Sequence, residues 1–338
     1  MKLYGGIDLH SNNSLVCLLD EKDRVVYQKR LPNRLDQILS ELSPYREALQ
    51  GLAVESTYNW YWLVDGLMEA GYRVHLVNTA AVQQYSGLKY TDDSHDARWL
   101  AHLLRLGILP EGYICPKAAR AVRDLLRKRS QLVRHRTAHL LSIQNLLARN
   151  RGQSLSGNLV KRLSEAQVEE LLPEPDLALA VKSNLRVMQC LEEEIKKLEK
   201  VVKARVRLKP AFRSLLTLPG VGSTLGLTIM LEAGDIRRFQ KVGNFSSYSR
   251  CVRSIKLSNG KKKGEGNRKN GNKYLAWAFV EAAHFAIRYS PQVQRFYQRK
   301  RAKTNGIVAL KAVAHKLARA AYFVVRDQVP FNVVKAFG

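Results

Sequence analysis

The residues predict an α/β N-terminal domain, then a coiled-coil helical region, then a mainly α-helical C-terminal domain. Three observations carry this. Short apolar strand-like runs alternate with helical spacings over residues 1–110. Two long stretches, residues 118–149 and 177–206, keep an apolar stripe at helical spacing. From residue 208 onward, apolar helical stripes are separated by turns marked with Gly and Pro. The predicted domains are 1–110, 111–207 and 208–338.

In the first domain a glycine-bearing strand starts at Leu3 and ends in the polar turn Ser11-Asn12-Asn13-Ser14. A second strand, Leu15-Val16-Cys17-Leu18-Leu19, follows, and a third runs from Arg24 to Leu31, so the start reads as a meander. Leu35, Ile38, Leu39 and Leu42 then recur at helical spacing. A short strand ends at Glu55, a helix at Gly71, another strand at Asn78, and a helix from Asp96 stops at Gly107.

The two long helices suit an antiparallel coiled-coil arm or a dimer contact, with a plain helical bundle as the bland alternative. The last domain opens on Leu218-Pro219-Gly220-Val221-Gly222 ahead of an apolar helix. Two helices joined this way resemble a helix-hairpin-helix element, where Gly220 and Gly222 would let backbone N–H groups approach a phosphate. An ordinary helix-helix turn uses the same residues. Ser258 to Lys273 is rich in Gly, Asn and Lys and reads as a mobile loop before a helix near Tyr274.

Composition narrows the function. Net charge is +27, unevenly spread. Residues 1–110 hold 11 Lys and Arg against 13 Asp and Glu, a net of −2; residues 111–338 hold 45 against 16, a net of +29. Such a basic region suits a polyanion, gripped through salt-sensitive phosphate neutralisation. Arg120, Arg123 and Arg127 on the first long helix, and Lys261, Lys262, Lys263, Arg268 and Lys269 in the loop, are the candidate contacts. Charge alone favours a binding protein, ribosomal or chromatin-like, over an enzyme. No apolar run approaches the ~20 residues of a membrane span, and no signal peptide is evident at the start, so a cytoplasmic setting without a membrane partner is expected. The four scattered cysteines form neither a metal-ligand spacing nor a disulfide framework.

Sparse acids in this basic chain point to chemistry. Asp8 and Glu55 interrupt or end strands, while Asp93 and Asp96 stand three apart at a helix start. An acid inside an apolar strand is costly without a reason. These are the parts of an RNase H-like nuclease centre, in which carboxylates hold two divalent ions roughly 4 Å apart. Magnesium suits the oxygen-only ligand set, and His10 and His95 read as neighbours rather than ligands. Singly, each acid reads as a surface charge or cap, with Asp93 a respectable N-cap.

Taken in order, Gly6-Ile7-Asp8, Val54-Glu55-Ser56-Thr57 and Asp93-Ser94-His95-Asp96-Ala97-Arg98 resemble the DEDD motifs of the insertion-sequence transposases related to the Piv DNA invertases. Leu218-Pro219-Gly220-Val221-Gly222 and Asn270-Gly271-Asn272-Lys273-Tyr274-Leu275 resemble that family's C-terminal transposase domain. Where the family often has Lys-Thr-Asp before its aspartate pair, this chain has Thr91-Asp92-Asp93; the Asp-x-x-Asp-Ala spacing favours Asp93 over Asp92 as the ligand. The resemblance implies a RuvC-like first domain, a nucleophilic serine in the last, and a structured guide (bridge) RNA that directs donor and target double-stranded DNA. It places the serine on Ser258, with Ser254 a nearby competitor. A dimer or tetramer, in a prokaryotic cell and acting at the nucleoid, follows from the same resemblance. A RuvC-type nuclease without a covalent intermediate and a non-catalytic RNA- or DNA-binding protein remain the alternatives.

Overall fold

The computed structural model describes residues 1–82, 93–206, 209–265 and 270–338, except the side chains of 93, 94 and 256. By packing, the chain divides into two units: residues 1–117 with 254–270, and residues 118–253 with 271–338.

The first unit is built on a five-stranded sheet of order β3-β2-β1-β4-β5. β1 (Leu3–Leu9), β2 (Asn13–Leu19) and β3 (Val25–Pro32) form the antiparallel meander that the sequence predicts. β4 (Leu49–Glu55) lies parallel to β1, and β5 (Val74–Val77) parallel to β4. One sheet face buries Ile7, Val16, Leu18, Leu52 and Val54 against α1 (Leu35–Leu42) and α2 (Tyr61–Glu69). The other face buries Leu15, Cys17, Leu19, Ala53 and Val77 against α3 (Asp93–Arg105). With both faces covered, the inner strands read as nearly unbroken apolar runs, and only edge strand β3 is largely exposed. The far end of α3 is tied to the β2–β3 turn, where Asp23 accepts from Arg105 Nε at 2.9 Å and lies 2.6 Å from His102 Nδ1.

Where a loop is expected from Ser258 to Lys273, residues 256–264 form strands instead. β6 (Lys256–Ser258) and β7 (Lys261–Gly264) form an antiparallel hairpin. Its two-residue connection, Asn259 at φ +50° and Gly260 at φ +72°, has both residues in the left-handed region. Asn-Gly is the pair that this tight turn favours, because its twist matches that of the flanking strands.

The second unit is helical. α4 (Lys117–Arg151) is followed by the short α5 (Gly157–Val160) and α6 (Glu165–Leu171), then by α7 (Pro175–Val206). Arg129 pairs with Glu199 and Arg136 with Glu192, while Ile143 and Leu147 share a cluster with Val181 and Leu185. The long helices therefore run antiparallel, against each other within one chain. Beyond them lie α8 (Pro210–Leu215), α9 (Ser223–Ala233), α10 (Val242–Tyr248), α11 (Lys273–Tyr289), α12 (Pro291–Lys303), α13 (Gly306–Asp327) and α14 (Val333–Phe337). Phe245, Phe279 and Leu317 centre their core. Among the described residues no helix is long and apolar enough to cross a membrane.

Candidate active site

Strands β1, β4 and β5 are mutually parallel, so their C-terminal ends share one edge of the sheet. Ile7 is registered with Val54, which sets the next residues, Asp8 and Glu55, side by side. Glu55 is registered with Val77, and Asn78 follows. Side chains alternate along a strand, so Asp8 lies on the same face as Gly6, the face covered by α3. A Cβ on Gly6 would fall 2.0 Å from Ala97 O and 2.7 Å from Ala101 N. Only glycine lets the α3 backbone rest on β1. That seat brings Asp96, the residue before Ala97, toward the acid-bearing edge.

Asp8 is 3% exposed, and its Oδ2 is buried with no hydrogen-bond partner among the described residues. His10 Nε2 stands 3.1 Å away, at ion-pair range but without hydrogen-bond geometry. The His10 carbonyl is held by Asn33 Nδ2 and Asn59 Nδ2, each donating at 2.9 Å, which fixes the chain just past Asp8. Burial, a hydrogen bond with Asp8, and the charges of Asp8 and then Asp96 together push the Glu55 carboxyl up to about 8. Like charges gathered at a buried edge hold a proton when no cation neutralises them.

Do these residues fit a divalent ion? The donor set is all oxygen, and the buried Asp8 Oδ2 makes no hydrogen bond among the described residues, so the chemistry fits a hard divalent ion such as magnesium. Among the described residues no three acidic, His or Cys side chains form a ready metal cage. Asp93 opens α3, three residues before Asp96, but its side chain lies outside the described residues, as do Thr91 and Asp92.

Ser258 is exposed and ends β6; its cross-strand partner is Lys261, with Lys262 opposite Leu257. Directly opposed residues project to the same face, so Lys261 flanks the Ser258 hydroxyl. Lys261, Lys262 and Lys263 are all exposed, and so is Ser254. Arg268 and Lys269 lie outside the described residues. The hairpin segment packs in the same unit as the acids. At the segment's end Asn270 Oδ1 accepts from Asn78 Nδ2 at 3.0 Å, a contact that the sequence gives no sign of.

The remaining candidates sit in the second unit. Gly220 has φ +78°, and a Cβ there would fall 2.1 Å from Ala282 O and 2.6 Å from Ala286 N. This glycine seats α11 on the α8–α9 turn. Gly222 caps α9 with open space around it. Arg120 and Arg123 are only 5% and 7% exposed. Arg127 donates to both oxygens of buried Glu232, at 2.6 and 2.7 Å, and lies over the Tyr274 ring. Arg120 and Arg123 are thus buried in the helical packing, while Arg127, partly exposed, is taken up by Glu232. Asn272 Nδ2 donates to Glu232 at 2.7 Å while its Oδ1 caps α11. Gly271, at φ +87°, passes too close to Tyr248 O for a side chain. Gly271 and Asn272 of the Asn-Gly-Asn-Lys-Tyr-Leu motif are thereby accounted for by packing. Burial raises the Cys17 thiol to about 11 and Cys251 to about 12, so neither is a ready nucleophile.

The comparisons with known proteins cover both parts of this layout. A transposase family of the DEDD IS110 type matches residues 5–150, which carry Asp8, Glu55, Asp93 and Asp96. The transposase IS116/IS110/IS902 family matches residues 213–298, which carry the hairpin and Asn272. A probable family 20 transposase of Pseudomonas aeruginosa is 28% identical over 294 residues, 84% of this chain and 83% of that protein. The transposase for insertion sequence element IS1328 of Yersinia enterocolitica is 22% identical over 339 residues, 97% of this chain and 98% of its own length. In order, at its acidic part and at its hairpin part, the chain matches the IS110/IS116 family of transposases.

Proposed function

We propose that this transposase is an RNA-guided DNA recombinase, with an RNase H-like, RuvC-related first domain and Ser258 as its nucleophile. The observation that carries the reading is the packing of the Ser258 hairpin in the same unit as Asp8, Glu55 and Asp96. Magnesium, when held by Asp8, Glu55, Asp93 and Asp96, supplies Lewis-acid stabilisation of charge on the phosphate oxygens.

Ser258 Oγ attacks the phosphorus of a diester. The Oγ–P bond forms, one P–O bond to a deoxyribose breaks, and the departing sugar oxygen takes up the proton that Oγ gives up. A second strand's hydroxyl reverses the step, restoring the diester and the free serine. The ester bond energy is kept in the phosphoserine, so rejoining needs no outside energy source. Lys261, beside Ser258, offsets charge on the attacked phosphate.

Guidance by a structured RNA from the mobile element rests on the net +29 of residues 111–338 and on the family resemblance. Exchange of two duplexes calls for a dimer or tetramer. A strand-exchange assay with donor and target duplexes, guide RNA and magnesium tests the reading. Asp8→Ala should abolish exchange and leave nucleic-acid affinity largely intact. Near-normal exchange by Asp8→Ala removes the acids from the mechanism, and metal-dependent cutting without any protein–DNA adduct replaces the recombinase with a plain nuclease.

A further inference from the structure

We propose that Asn78 is a positioning residue for strand transfer: through its hydrogen bond to Asn270 it seats the Ser258 segment at the sheet edge where Asp8 and Glu55 end. The proposal rests on the reading of Ser258 as nucleophile. Asn78 and Asn270 stand 192 residues apart in sequence, and their side chains meet at 3.0 Å. Asn78 immediately follows Val77, the register partner of Glu55, so it belongs to the acid-bearing edge.

Its backbone is fixed independently of its side chain. The N–H donates to Pro110 O at 2.8 Å, and the carbonyl accepts from Ala81 and Val82 at 2.8 and 3.2 Å. The side-chain amide is therefore presented from a rigid base. The segment it meets, 254–270, packs in the first unit although its chain neighbours on both sides belong to the second. A segment that leaves its sequence neighbours needs a specific anchor, and Asn270, its last residue, is held by Asn78.

Amide chemistry supplies the test. An Asn side chain can present either its oxygen or its NH2 group. In Asn78→Asp, Asn270 can turn its amide and donate to the new carboxylate. In Asn270→Asp, Asn78 still has an acceptor to donate to. Only the double variant, Asn78→Asp with Asn270→Asp, leaves two like charges and no donor. In the full chain with guide RNA, donor and target DNA and magnesium, each single variant should form the Ser258–DNA adduct within about threefold of the parent rate. The double variant should fall by about tenfold or more, the scale of one lost hydrogen bond plus repulsion.

Hydrogen exchange of the nucleic-acid-free chain gives the second readout. Peptides from residues 254–270 should exchange faster in the double variant, with those from residues 3–55 unchanged. Double-variant adduct rates equal to the product of the single effects, with unchanged exchange in 254–270, overturn the proposal. Absence of a Ser258 adduct in the parent protein sinks the serine reading instead. In that case faster exchange confined to 254–270 still supports the anchor, and unchanged exchange removes it.

Discussion

Gly6 of β1 and Ala97 of α3 are in backbone contact: a methyl group on Gly6 would come within 2.0 Å of the Ala97 carbonyl oxygen. Asp8 lies two residues beyond the glycine and Asp96 one residue before the alanine. One close approach therefore sets the distance between a strand acid and a helix acid. The small residues Ala97 and Ala101 line the helix face that meets β1 and β2, which lets the helix sit low on the sheet.

Gly6→Ala is expected to destabilise the protein by about 1–3 kcal/mol, the usual cost of overpacking, and to lift α3. Thermal unfolding reads the first effect, and titration with manganese, as a magnesium stand-in, reads the second. Unchanged stability with unchanged metal affinity would show that the helix seat is not tight.

Glu55 gives a pH signature in the metal-free protein. Its carboxyl rises from an ordinary 4.5 to about 8 on folding, so the folded state holds this proton more firmly than the unfolded chain does. The stability from this group is present in full below pH 4.5 and is lost as pH climbs toward about 8. Urea unfolding of the parent between these limits should weaken with rising pH, and Glu55→Gln should flatten the trend. Saturating magnesium should reverse it, because the ion binds the ionised form in the folded state. A parent and a Glu55→Gln variant with the same pH slope would count against the shared acidic cluster.

Much of this layout is readable in the sequence, and the exceptions have physical causes. Strands β1 to β5 and helices α1 to α3 follow from apolar runs and spacings, since both sheet faces are buried. The acids stand out because apolar strands rarely hold one. The hairpin at 256–264 was hidden by composition: Gly, Lys and Asn suggest a loop, although Asn259-Gly260 is itself the turn signal. The burial of Arg120 and Arg123 has no cue in the sequence, where charge is visible and packing is not. Glu232, the buried counterpart of Arg127 in α9, has no local cue. Nor does the bond between Asn78 and Asn270, which only the folded chain brings together.

The Arg127–Glu232–Asn272 network should matter for stability more than for binding. Glu232→Ala leaves the partly exposed Arg127 guanidinium without its carboxylate and should cost about 1–3 kcal/mol, the scale of lost hydrogen bonds to a charged group. Asn272→Ala should cost about 1 kcal/mol or more, from the lost α11 cap. A double-mutant cycle between Arg127→Ala and Glu232→Ala should show strong coupling. Additive effects would mean that the pair is incidental.

Nucleic-acid affinity should fall steeply with salt, and the chain's first 110 residues should contribute little of it, given their net charge of −2. Charge-reversal of Lys261, Lys262 and Lys263 to Glu should weaken binding at low salt and reduce the salt slope. An unaltered slope would remove the hairpin from the nucleic-acid contact.

Ser258 is decided by covalent capture. The full chain is incubated with labelled donor and target DNA, guide RNA and magnesium, then run on a denaturing gel and mapped by mass spectrometry of the phosphopeptide. The parent should give a protein–DNA adduct on Ser258, Ser258→Ala should give none while still binding nucleic acid, and Ser254→Ala should retain most of it. An adduct that persists in Ser258→Ala and vanishes in Ser254→Ala moves the nucleophile four residues upstream, and efficient strand exchange by Ser258→Ala with no adduct at any stage contradicts the serine mechanism.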